Sequence, residues 1–359
     1  MPEGVLHVFL RVFTKEEGHL LTGFLFLENV RIDAFPLAGS AVPFFQLGLK
    51  TGEGTSWLRL TEGPNGHLPW FMTTMPLDEA SQLVFNDTKR YIPLEAALRS
   101  ASPWKPTGSS IRQVLSTSFG LLAEDDAMFL NVVTRQIDYH ARLGISSTIM
   151  YCRPKLCEKY GRNAAIAGLI STGKLELVPF DEIGLVQGRP YYDQSVQYNH
   201  AILSNKDRGS YLFMADLDEY LAFDSPADAR SLACLGLESG CAAVPRFRVF
   251  PEREIPSLAY GDFIPALTKW DGREASTKSI IDPNRMTRFF VHQGGVCVQA
   301  DETGCLVAAA CNAVQPSCAR VAHFSNMLKK REKVEVFNTT DSDAWLWPFQ
   351  GGSLSNNDT

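Results

Sequence analysis

Tyr211-Leu212-Phe213-Met214-Ala215-Asp216-Leu217-Asp218-Glu219-Tyr220-Leu221 contains an abrupt change of polarity. A short apolar or small run leads directly into two aspartates spaced by one residue. Such a run, bounded by a polar switch, predicts a buried strand ending at a sheet edge. Strand side chains alternate faces, so Asp216 and Asp218 are expected on one face and Leu217 on the other. Carboxylates at the C-terminal edge of a buried strand lie where open α/β sheets bind ligands. Their oxygens suit a hard cation, Mg²⁺ or Mn²⁺, which would in turn hold phosphate oxygens. The plain alternative is a solvated turn, where Asp-x-Asp often falls by chance.

The chain has 359 residues, of which 45% are hydrophobic and 21% charged, an ordinary globular balance with length for two domains. Its net charge of −6 argues against a nucleic-acid or anionic-membrane partner. No apolar run reaches transmembrane length. The opening Met1-Pro2-Glu3 has neither a basic region nor a signal-peptide core, so the sequence reads as soluble and untargeted, or as lacking its leader. None of the eight cysteines forms a Cys-x-x-Cys pair, which argues against a zinc ribbon. Cys297, Cys305, Cys311 and Cys318 crowd one Gly/Ala-rich segment. Disulfides of the secretory pathway and buried free thiols explain that crowding equally well. Sequons stand at Asn86, Asn338 and Asn357.

Residues 1–110 read as a β-rich domain, a small sandwich or a sheet extension. Leu6–Phe13, Gly23–Leu27 and Ser56–Leu60 are short, partly alternating runs separated by Gly-rich turns. Trp57, Trp70 and Trp104 could form a sugar-binding surface, although core packing is the commoner use of tryptophan. The Ser/Pro/Gly-rich stretch 100–110 is the expected linker. From Ile111 strands and helices alternate. Strands are expected at Val114–Phe119, Thr148–Tyr151, Leu175–Phe180 and Ala242–Phe250. A helix capped by Asp125 or Asp126, with Phe129, Val133, Ile137 and Ala141 inward, should stop at Gly144. A second should carry Leu156, Tyr160, Ile166 and Ile170 inward and end near Gly173, and a third should run from Gln194 to Leu203. This succession predicts an α/β fold with a mainly parallel sheet flanked by helices over 111–330, followed by a tail, 331–359.

Several phrases, taken in order, resemble a GT-A glycosyltransferase of the family 92 (DUF23-type) branch. They are Ile137-Asp-Tyr-His-Ala-Arg-Leu-Gly144, Ile149-Met-Tyr-Cys152, Gln194-Ser-Val-Gln-Tyr-Asn-His-Ala201 and Phe213-Met-Ala-Asp-Leu-Asp-Glu-Tyr-Leu221. Ser276-Thr-Lys-Ser-Ile-Ile-Asp-Pro283, Val291-His292 and Val321-Ala-His-Phe324 follow. The resemblance covers 111–330, and Cys152 departs from it, since the family often has Asp or Asn there. It implies a GT-A-like sheet, a UDP-sugar donor, a glycan or glycoprotein acceptor, Mn²⁺ (or Mg²⁺), and the Golgi or secretory-pathway lumen. No targeting signal is read in the residues, so the cytoplasm stays open.

By the same resemblance Asp218 is the main metal ligand, and Asp216 contacts the metal, its water or the ribose. His323 is a third metal ligand or a packed histidine. Lys278 contacts the diphosphate, or is an ordinary surface lysine. Gln194 and Asn199 support the metal loop or touch the donor. Glu219 orients the loop or the acceptor. Tyr139 and His140 pack a helix end, and His292 is a core or acceptor-facing residue. An inverting transfer also needs a general base. Glu252, Glu254, Asp262, Asp271 and Glu274 are the candidates, with Asp262 and Asp271 put forward. The expected function is metal-dependent transfer of a hexose, galactose by resemblance, to a glycan hydroxyl. Two rivals remain: a non-catalytic glycan-binding protein with a transferase fold, and a haloacid-dehalogenase-type phosphatase with Asp216 as nucleophile, for which Tyr220 stands at a Thr/Val position.

Overall fold

The computed structural model describes residues 6–16, 18–27, 46–58, 60, 70–86, 90–105, 107–116, 126–181, 193–224, 232–250, 269–290, 293–301 and 304–324. The chain opens with strands β1 (Leu6–Lys15), β2 (Gly18–Leu27), β3 (Leu47–Thr51), β4 (Gly54–Trp57), β5 (Trp70–Met75), β6 (Gln82–Phe85) and β7 (Tyr91–Pro93). Helix α1 (Glu95–Arg99) and strand β8 (Ser102–Pro103) follow. Two four-stranded sheets result, ordered β5-β2-β1-β8 and β4-β3-β6-β7. Their inward residues, among them Val12, Leu21, Leu25, Leu49, Phe71 and Leu83, share one buried cluster. Alternating apolar residues give each strand one core face, and two such faces close on each other.

The expected linker is tied down. β8 pairs in parallel with β1, and Trp104 packs edge-on against Phe13. Ser102 Oγ donates to Asp207 at 2.7 Å, and Thr107 Oγ1 donates to Asp282 at 2.5 Å. Composition rich in Ser, Pro and Gly marks a segment that avoids regular structure; it does not show whether the segment's polar groups find partners.

Next come β9 (Ser110–Ser116), α2 (Asp126–Arg142), β10 (Ile145–Cys152), α3 (Pro154–Gly161), α4 (Ala164–Ser171), β11 (Leu175–Pro179) and α5 (Asp193–Asn205). The single helix expected between β10 and β11 is two. Asn163 breaks it and caps α4 by accepting from the amides of Ala165 and Ile166. Gly144 takes φ +88° just after α2, where a side chain would be strained, and ends that helix as expected. The inward face of α2 holds Val132, Val133 and Ile137, with polar Gln136 and His140 buried among them, and Leu143 is buried just after it. The side chain of Phe129 lies outside the described residues.

The chain continues as β12 (Ser210–Ala215), β13 (Glu219–Phe223), β14 (Cys241–Phe250), β15 (Lys269–Ile281), β16 (Met286–Phe290), β17 (Gln293–Asp301), β18 (Gly304–Ala310), β19 (Asn312–Ala313) and β20 (Ala319–His323). The principal sheet runs β11-β10-β9-β12-β15-β14-β20-β13, with β19 beside β14. The fold is mixed α/β, and the mainly parallel sheet is corrected to a mixed one. β10 is parallel to β9 and β11, but β15 is antiparallel to β12 and β14, and β13 to β20. Alternation of strands and helices predicts crossovers only as far as it lasts, and the helices among the described residues after α5 are two short 3₁₀ turns, Ala233–Leu235 and Leu237–Ser239.

β12 and β13 are separated by three strands in this order, yet only Asp216, Leu217 and Asp218 join them. Four strand spacings measure about 19 Å along a flat sheet. Four Cα steps reach at most about 15 Å. The sheet therefore curls and brings its far strand back beside β12.

Contacts divide the chain into two units, each drawn from three stretches. One comprises 1–108, 182–210 and 282–311; the other comprises 109–181, 211–281 and 312–359. In the first, the buried Lys206 donates to the carbonyls of Pro283 and Met286 at 2.8 and 3.0 Å. Burial pushes its pKa down to about 7, against the pull of Asp282. In the second, Cys152 is bonded to Cys157 and Cys234 to Cys318. Cys241, of the second unit, and Cys311, of the first, are also disulfide-bonded, and no cysteine is free among the described residues. The side chains of Cys297 and Cys305 lie outside that description, as does the tail from 325 onward.

The Cys234–Cys318 bridge spans a sequence separation of 84 and fixes the chain just before β20. Removing it as Cys234→Ala/Cys318→Ala is expected to cost about 2–5 kcal/mol. The measurement is the denaturant midpoint of the variant against the wild type.

Candidate functional site

β12 ends at Ala215, so Asp216, Leu217 and Asp218 form a turn and not a continued strand. The expected alternation of faces does not apply there, and the two aspartates take different partners. Asp216 Oδ2 accepts from the Lys278 ammonium at 2.7 Å. Asp218 Oδ2 lies 3.5 Å from His323 Nε2. Leu217 turns inward and is buried.

Strand register explains the gathering. Glu219, first residue of β13, stands opposite His323, last residue of β20. His323 in turn faces Arg248 of β14, two positions beyond Arg246. Lys278 enters from β15, opposite Val244 of β14. Four strands thus deliver Glu219, His323, Arg246 and Lys278 to the turn.

Charges in the cluster are closely paired. Lys278 Nζ reaches Glu219 Oε2 at 2.9 Å as well as Asp216, and its side chain is fully buried. Glu219, also fully buried, accepts from Arg246 Nη1 on Oε1 at 2.8 Å and from the Asp216 amide on Oε2 at 2.8 Å. Burial alone would raise the Glu219 pKa, but the charges of Lys278, His323 and Arg246 outweigh it and hold that carboxyl low. Burial would lower the Lys278 pKa, and Asp216 with Glu219 reverse that and raise it. Lys278 is therefore no surface lysine, and Glu219 orients the loop from within the protein.

Helix α2 grips the turn and the following strand β13 by their backbone. Gln136 Nε2 donates to the carbonyls of Asp216 and Glu219 at 3.1 and 2.9 Å. The Tyr139 hydroxyl donates to the Leu221 carbonyl at 2.8 Å. His140 Nε2 accepts from the Leu221 amide at 3.1 Å. Acceptance requires a neutral imidazole, and burial pushes the His140 pKa down to about 3. Residues 136, 139 and 140 share one helical face. Gln136 and Arg246 were missed in the sequence. A glutamine four residues before a histidine on an otherwise apolar face was the available signal.

Gln194 and Asn199 belong to the first unit. There Gln194 Nε2 donates to the Tyr198 hydroxyl at 2.9 Å. Asn199 accepts from Trp70 Nε1 at 2.8 Å and donates to the Ser195 carbonyl at 2.7 Å. Trp70 is buried, whereas Trp57 is 54% exposed and lies in register across Gly48 and Val84 with exposed Tyr91. Asp262, His292, Glu252 and Glu254 lie outside the described residues. For Asp271 and Glu274 only the backbone on β15 is described, with Asp271 opposite Arg248.

Among the described residues no group of three or more His, Cys, Asp or Glu side chains is arranged to hold a metal ion. Asp218 and His323 offer one carboxylate oxygen and one imidazole nitrogen, with Asp216 committed to Lys278. That donor pair fits an ion that completes its shell with substrate phosphates and water. It does not fit an ion caged by protein alone.

No family model matches the chain, and no curated protein matches it.

His140 gives the loop a pH dependence. Its folded pKa lies below its unfolded value, so the unfolded chain binds the extra proton. Stability is fully present above about pH 6.5 and is lost as pH falls toward about 3. Between about pH 6.5 and 4.5, above the range where carboxylates titrate, the expected slope is up to about 1.4 kcal/mol per pH unit. Unfolding free energies across that range, in wild type and His140→Gln, check it, and the variant should lose the slope.

Proposed function

We propose that the chain is a metal-dependent glycosyltransferase of GT-A type, family 92 branch, moving a hexose from a UDP-sugar to a glycan or glycoprotein hydroxyl with inversion. The observation that carries this reading is the Asp218–His323 pair at 3.5 Å, on the turn that leaves β12. Asp218 and His323 would hold Mn²⁺ or Mg²⁺. The ion, when bound, supplies Lewis-acid neutralisation of the departing nucleoside diphosphate.

The chain's own residues prepare that place. Glu219, held between Lys278 and Arg246, fixes the Asp216 amide. Gln136 holds the turn's backbone at Asp216, and Tyr139 and His140 hold β13 just after it, so Asp218 needs little reorganisation to meet a ligand. Asp262 and Asp271 remain the candidates for taking the acceptor proton. Galactose as the sugar comes from resemblance alone.

A secretory-pathway lumen, with the Golgi as its expected station, agrees with the disulfides, which persist in oxidising compartments. The sequon asparagine Asn86 is exposed at the end of β6, open to glycosylation there. No helix among the described residues is long and apolar enough to cross a membrane.

Calorimetric titration with a panel of nucleotide sugars, with and without Mn²⁺, tests the reading. Metal-dependent binding of a UDP-sugar is expected, and Asp218→Asn should lower turnover by about 100-fold or more. Sugar binding that survives Asp218→Ala, with no donor turnover, would establish a glycan-binding protein instead. Phosphate release from a generic phosphoester, without nucleotide-sugar turnover, would establish the phosphatase.

A further inference from the structure

We infer that Lys278 masks Asp216 from divalent cations, which leaves the free protein a poor cation binder until a diphosphate supplies the missing ligands. The identity of that diphosphate rests on the glycosyltransferase reading; the masking rests on geometry alone.

Asp216, Asp218 and His323 would together make three donors within one turn and one strand end. Only the last two face each other, at 3.5 Å. Asp216 is held at 2.7 Å by an ammonium whose side chain has no exposure. Turning Asp216 toward an ion would leave that buried ammonium with Glu219 alone. Glu219 is itself occupied, by Arg246 on one oxygen and by the Asp216 amide on the other. Parting a buried charge from its partner is strongly unfavourable. The ammonium also repels an arriving divalent ion directly.

A hard ion meeting only a carboxylate and an imidazole keeps most of its water. A diphosphate brings the oxygens and the negative charge that the masked aspartate withholds. Cation and diphosphate should therefore bind cooperatively, each raising the affinity of the other by the same factor.

The test titrates Mn²⁺ into the free protein by calorimetry, without and with UDP. UDP is expected to tighten Mn²⁺ binding roughly 10- to 100-fold. Lys278→Met alone takes from the buried Glu219 one of its two ion-pair partners, so the working variant is Lys278→Met/Glu219→Gln, which removes one charge of each sign. Its thermal unfolding transition verifies the fold. Once Asp216 is released, the double variant should bind Mn²⁺ without UDP about 10-fold or more tighter than wild type. A folded double variant with no gain, or a wild type that binds free Mn²⁺ as tightly as the variant, overturns the inference. A variant that gains, beside a wild type indifferent to UDP, upholds the masking by Lys278 and removes the nucleotide-sugar reading.

Discussion

The contact between the Lys278 ammonium and the carboxylates of Asp216 and Glu219 is the constraint that orders this part of the molecule. A fully buried ammonium is tolerated only beside opposite charge, and Glu219 likewise needs cations close by. Satisfying both requires β13, β14, β15 and the turn after β12 to meet at one point. The curl of the principal sheet is what allows it. A flat sheet with the same strand order would leave Glu219 far from the end of β12. Charge pairing and sheet curvature are two views of one arrangement.

The second layer of support is neutral. Gln136, Tyr139 and His140 reach one carbonyl of the turn, and two carbonyls and one amide of β13, from a single face of α2. β13 ends the strand order of its sheet, so its outer backbone groups have no ladder partner there, and burial makes leaving them unpaired expensive. Side-chain bonds from the helix replace the missing ladder. Tyr139 also packs edge-on against Tyr220, and His140 stacks on it, so the ring that follows Glu219 is fixed by the same face. The phrase around Tyr139 and His140, which the sequence assigns to packing at a helix end, is therefore a support of the acidic turn as well.

Much of this was legible because it is periodic. β1, β2, β10, β11, β12 and β14 fall where apolar runs and turn residues place them, and α2 and α5 where spacing and glycine punctuation do. Partner choice between strands was not legible. The residues of β15 and β20 do not state that they flank β14, because hydrophobic pattern gives a strand its face and not its neighbour. The candidate site divides along the same line. Asp216, Asp218, Glu219, Lys278 and His323 each stood out as residues, but which carboxylate meets which cation follows from register across four strands. The same-face argument for the aspartates failed because it needs the strand to run through Asp218, and the strand ends at Ala215. Gln136 carried only its spacing from His140, and Arg246 became meaningful only through the atoms it touches.

The pairing of β13 with β20 has a consequence for the order of events during synthesis. Glu219 leaves the ribosome well before His323, and before Arg246 and Lys278 too. Until those later strands exist, its carboxylate has no cation and must remain hydrated, so β13 cannot be sealed into the core. Long-range closures of this kind are slow. The acidic turn is thus finished among the last parts of its unit, and a nascent chain halted short of Ala319 would lack β20, the strand that joins β13 to β14.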